Sequence, residues 1–158
     1  MSTLKRTIAV LSITLLFCGA ATARQQDDKK EKEKPKDAAT LNDEEQTLTT
    51  TSDDKTKTKK IELKYYLQVS GYFDKDGFNI EKVTKDGPAT QLRDDDGNGG
   101  VTLEAGDIIL ELDGFKVTTP EEYAKAINGV GDHEKIKLKI RDKNTGNDVV
   151  FYATARKR

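Results

Sequence analysis

The chain has 158 residues and nearly equal numbers of basic and acidic side chains, giving a net charge of −1 at neutral pH. That balance excludes a broad electrostatic pull toward nucleic acid or an anionic membrane surface. Charged residues make up 35% and hydrophobic ones 34%, too little apolar material for one core along the whole length, and a single cysteine and a single histidine exclude an internal disulfide and leave little for a His/Cys metal centre.

Residues 1–23 have the layout of a secretory signal. Lys5 and Arg6 precede an apolar run from Ile8 to Phe17, and Ala21 and Ala23 form a small-x-small cleavage pattern before Arg24. The run falls short of the roughly 20 residues that span a bilayer. The expectation is an exported protein, periplasmic or secreted, with no membrane span after cleavage. A retained anchor, or lipid attachment at Cys18, are the alternatives.

Residues 24–60 read as a disordered, charged, low-complexity spacer. They hold 10 basic and 10 acidic residues and no aromatic one, and Leu41 and Leu48 are their largest apolar groups. Such a segment buries too little surface to offset its conformational entropy.

The folded domain is expected over residues 61–158. Residues 62–70 alternate apolar and polar positions, as do 78–83. Lys85-Asp86-Gly87-Pro88 is a turn, and Pro88 suits the start of a short helix reaching Leu92. The densest apolar run of the domain is Gly106-Asp107-Ile108-Ile109-Leu110-Glu111-Leu112-Asp113-Gly114. It predicts a strand with Ile108, Leu110 and Leu112 on one face, a turn held by Asp107, and a hairpin through Asp113-Gly114 into 115–117. Thr118 or Thr119 can cap a helix from Pro120 to about Asn128-Gly129. Residues 136–140 and 149–155 form a last hairpin. The expected fold is mostly β (α+β), with five or six short, mainly antiparallel strands, one long helix and one short one.

Taken together, Asp86-Gly87-Pro88-Ala89, the Gly106–Gly114 strand and the helix from Pro120 to Ile127 resemble the PDZ domain family, most closely its bacterial exported members, here without an attached protease. The resemblance covers about residues 61–156. It implies a partly open barrel that takes an extended peptide, usually a free C-terminus, as an added strand between a strand edge and the long helix. The carboxylate would be held by successive backbone N–H groups. Carried onto this chain, the peptide-binding residues are Tyr66, Leu67, Gln68, Val69 and Ser70 on the strand side and Pro120, Tyr123, Ala124 and Ile127 on the helix side. Two positions depart from the family pattern. Gln68 stands where glycine is usual, and Pro120 stands where members preferring Ser or Thr in the ligand carry His. A hydrophobic-ended ligand is therefore expected. Leu67, Val69 and Ile127 also suit plain core positions.

A second stretch, Asp94 to Glu104, resembles the first half of an EF-hand loop. Asp94, Asp96, Asn98, the Gly100 carbonyl and Glu104 are candidate Ca2+ ligands, because hard cations take oxygen donors at alternate positions around a sharp bend. Glu104 falls one residue before the closing position. A flexible acidic turn is the other reading of the same residues. No other cofactor is indicated.

Ser70 and His133 are the domain's only Ser and His, without a nucleophile elbow, and no phosphate-cradling loop occurs, so no enzyme activity is expected. The expected function is an exported peptide- or protein-binding module. A calcium-responsive structural domain with a vestigial groove, or a module regulating a protease in trans, are the alternatives. The sequence leaves the oligomeric state open.

Overall fold

A computed structural model describes residues 38–52, 55–130 and 135–158. The expected secretory signal, the expected spacer up to residue 37 and the loop containing His133 lie outside the described residues. Thirteen strands and one α-helix occur among those described. The chain begins with β1 (Ala39–Asn42), β2 (Thr47–Ser52) and β3 (Lys55–Lys60). Next come β4 (Tyr65–Tyr66), β5 (Val69–Phe73) and β6 (Phe78–Val83), then a single 3-10 turn at Pro88–Thr90. β7 (Leu92–Arg93), β8 (Gly99–Val101), β9 (Ile108–Leu112) and β10 (Phe115–Lys116) lead into helix α1 (Pro120–Asn128). The chain closes with β11 (Lys135–Arg141), β12 (Asp148–Thr154) and β13 (Arg156–Lys157).

The fold is thus mostly β with one helix, as expected, but with more strands than the five or six foreseen. The main sheet runs β3-β2-β1-β5-β6-β9-β11-β12-β7-β8, with β10 paired to β9, and β4 pairs separately with β13. Every pairing is antiparallel.

The largest difference from the sequence reading is where the fold begins. Residues 39–60, assigned above to the spacer, form three strands that extend the sheet from the β5 edge. Composition hides the cause. Thr47, Thr49, Thr50 and Thr51 in β2 and Thr56 and Thr58 in β3 are β-branched and suit a pleated surface. Leu41 and Leu48 lie directly opposite each other across β1 and β2, and both are buried. The outer strand β3 alternates Lys with Thr, a charged edge that resists pairing with another chain.

Residues 62–70 are not one strand either. The run breaks at Leu67-Gln68, where Gln68 takes φ +64°, and pairing resumes in β5. In β9 the expected alternation shifts phase. Leu112 faces Leu138 and Glu111 faces Lys139, but Ile140 faces Ile109, so Leu110 is the extra residue of a β-bulge. One added residue turns the rest of a strand to its other face. This is how Ile109 and Leu112, three apart, are both fully buried while Leu110 is only partly covered.

The turns follow their chemistry. Asp113 and Gly114 both have positive φ (+49° and +83°), the combination a two-residue hairpin needs. The Asp107 carboxylate accepts from the N–H of Glu104 at 2.8 Å and of Lys143 at 3.1 Å. Thr119 caps α1 in a full capping box with Glu122, and Pro120 opens the first turn. The core centres on Phe73, Phe78 and Tyr123, whose rings lie 4.8 to 6.2 Å apart. Leu41 belongs to the same buried cluster.

That membership is testable. Leu41→Ala should lower the unfolding free energy by about 3 kcal/mol, as for other buried leucines, read from urea denaturation. A residue in a disordered spacer would give no change.

Candidate functional site

The edge of β5 away from β6 is paired by β1. Thr40 faces Tyr72, Leu41 faces Gly71 and Asn42 faces Ser70 across this pairing. The ladder ends where the Asp43 N–H donates to the Val69 carbonyl at 3.2 Å. β1 also lies against α1. β1 thus lies along the strand and against the helix named in the sequence reading.

At the end of this strand sits a buried carboxylate. The Leu67 N–H donates to Asp43 Oδ2 at 2.9 Å and the Val69 N–H to Oδ1 at 2.7 Å, and the Gln68 backbone adds a further favourable contact. Successive N–H groups can converge in this way because Gln68 adopts a left-handed conformation between them. Glycine is usual at such a position because it takes that conformation without strain; here Gln68 takes it, its side chain buried against Gly87. From the helix, the Tyr123 hydroxyl donates to Asp43 Oδ2 at 2.9 Å.

Burial pushes the Asp43 carboxyl up to about 6, against the pull of these hydrogen bonds, which favour the ionised form. Burial first, and then the neighbouring Asp43 charge, hold the Tyr123 hydroxyl well above its usual value, so it remains a donor throughout the neutral range.

The predicted peptide-binding residues differ in what they do. Leu67, Gln68 and Val69 supply the backbone nest, while the Leu67 and Val69 side chains are core. Ser70 lies on the strand-accepting edge opposite Asn42, and Tyr123 supplies the hydroxyl. Tyr66 pairs with Arg156 in the small β4–β13 ladder, which makes it a framework residue. Pro120 and Ile127 are buried, and Ala124 is partly buried against the core. Sequence reasoning missed Asp43. The signal for it was Leu41-Asn42-Asp43 preceding a Thr-rich alternating run, a strand that ends in a carboxylate.

The acidic stretch forms the turn of a β7–β8 hairpin. Asn98 engages both Asp94 carboxylate oxygens, through its backbone N–H at 2.8 Å and its side-chain amide at 3.0 Å. These bonds hold the exposed Asp94 below its ordinary value. Glu104 pairs with Lys143 at 3.0 Å. Among the described residues, no three His, Cys, Asp or Glu side chains converge as a metal-holding group, so Asp94, Asp96 and Glu104 are not drawn together. Nor, among the described residues, is any helix long and apolar enough to cross a membrane.

Asp43 also gives a pH signature. Its folded-state pKa lies above the ordinary carboxylate value of 3.8, so its contribution to stability is full below that value and is lost as pH rises through about 6. The stability difference between the chain and Asp43→Asn should therefore grow in favour of the chain by about 1 kcal/mol between pH 7 and pH 5. Paired urea titrations at the two pH values check this; a flat difference would mean that Asp43 does not titrate in that range.

No family model, curated protein or solved structure matches the chain, so its functional reading rests on the chemistry of this groove.

Proposed function

We propose that the domain is a binding module that accepts an extended peptide by strand addition along β5, with the peptide's terminal carboxylate in the Leu67–Val69 nest. This is the PDZ-like reading, for a protein exported to the periplasm or beyond. The observation that carries it is a carboxylate on the Leu67 and Val69 N–H groups at the end of a strand paired to the β5 edge. Main-chain ladder bonds supply sequence-independent affinity, and fixed N–H dipoles select the charged end. Leu41 indicates the side-chain preference. It lies two residues before the carboxylate-bearing position and is 1% exposed, so an apolar residue two before the chain end should be favoured. Further support comes from the order of elements: nest, β5, β6, the Gly-Pro-Ala turn, β9–β10 and α1 occur in the order the resemblance implies, with the β7–β8 hairpin inserted before β9.

The test uses the Asp43→Ala chain, in which the nest has lost its carboxylate. A labelled peptide ending Ala-Thr-Leu-Asn-Val as the free acid should bind in the micromolar range. Its C-terminal amide should bind roughly ten-fold more weakly, the loss of about one charge-assisted hydrogen bond. Failure of every apolar-ended free acid to bind by fluorescence anisotropy below millimolar would overturn the proposal.

A further inference from the structure

We infer that residues 40–43 are a built-in ligand: the chain closes its own groove, and a chain end must displace β1 to enter. This rests on the peptide-binding reading and adds how that site is controlled. Three features of the occupant argue for it. Its main chain runs antiparallel to β5, the direction that brings a carboxylate to the nest. Leu41 is buried as a member of the hydrophobic core cluster. The Asp43 side chain supplies in mid-chain the charged group that a free C-terminus would otherwise bring.

The occupant is also attached in a way that permits exchange. β1 belongs to the meander β1–β2–β3, whose outer strands carry mainly Thr and Lys. Ala38, Leu41 and Leu48 are the buried apolar side chains described in this region. Its other ties among the described residues include the Gln46 side chain to the Leu63 carbonyl, the Ile61 N–H to the Gln46 carbonyl, Thr84 to Glu44, and a wide, exposed Lys59–Glu121 pair. Elements held by so few apolar contacts open at lower free energy than the core they rest on. The β5–β6, β6–β9 and β9–β11 pairings do not involve β1. A groove open only part of the time binds an outside ligand more weakly in proportion to its open fraction.

The register supplies a lock. Because the Asp43 N–H bonds the Val69 carbonyl, the next pair, Asn42 and Ser70, is the closer, non-hydrogen-bonded kind. Such a pair suits a disulfide, so Asn42→Cys/Ser70→Cys fixes β1 on β5 when oxidised and frees it when reduced. The full chain, the Asp43→Ala chain and the double-cysteine chain are titrated with the same free-acid peptide. Asp43→Ala should bind at least roughly ten-fold tighter than the unaltered chain. The oxidised lock should not bind, and reduction should restore binding. Should Asp43→Ala fail to fold, the lock decides alone. Equal binding by the oxidised and reduced lock, or no gain in a folded Asp43→Ala, overturns the built-in ligand while leaving peptide binding intact. Binding by none of the forms overturns both.

Discussion

One carboxylate joins the parts of this fold. Asp43 accepts from the strand-side nest and from the helix hydroxyl, so it ties β1, β5 and α1 at a single buried point. Taking a carboxylate out of water is costly unless its oxygens are well bonded. The site offsets part of that cost with fixed donors, although burial still prevails: backbone N–H groups held by β5, and a tyrosine set by the Phe73–Phe78 cluster. Removing the carboxylate leaves those donors unpaired in a buried place. Asp43, another anion or an entering water must therefore satisfy them, and under the proposed reading this requirement would link the fold's stability to ligand binding.

The framework around that point was readable because each signal there is local. Asp113-Gly114 has the backbone geometry of a two-residue turn. Thr119, Pro120 and Glu122 state where a helix begins. Asp107 binds the N–H groups of its own turn and of a neighbouring one. The bulge at Leu110 was not readable, since it depends on how β11 pairs, which no window of β9 contains. The strands of residues 39–60 escaped for a different reason. Averaged over the whole segment, charge and low hydrophobicity outweigh pattern; two leucines facing each other and a run of threonines become visible only when the segment is split.

The site was half legible. The resemblance to a strand-accepting groove pointed to Leu67, Gln68, Val69 and Tyr123, and the structure brings all four to one carboxylate. Gln68 looked like a departure from a glycine position, yet its φ of +64° shows the backbone keeping the left-handed shape that glycine would give. The substituted residue therefore alters the side-chain environment of the nest more than its geometry. What no local window could provide was the occupant. Asp43 lies 80 residues from Tyr123 in sequence, and nothing nearby in the chain announces that contact.

A groove filled by the chain's own strand reconciles two demands that otherwise conflict. A free β-strand edge beside an apolar helix face invites indiscriminate pairing. A permanently sealed edge binds nothing. A covering strand whose outer neighbours are Thr and Lys presents a charged edge to solvent, and it brings its own carboxylate at the high effective concentration of a tethered segment. Under the proposed reading an outside chain end would gain the same ladder bonds and the same nest, so the competition would turn on what differs: the apolar residue two before the carboxylate and the tether itself. Selectivity under that reading would come from the margin by which an incoming chain end outperforms Leu41 and Asp43, and a weakly matched peptide would fail even though every backbone bond is available to it.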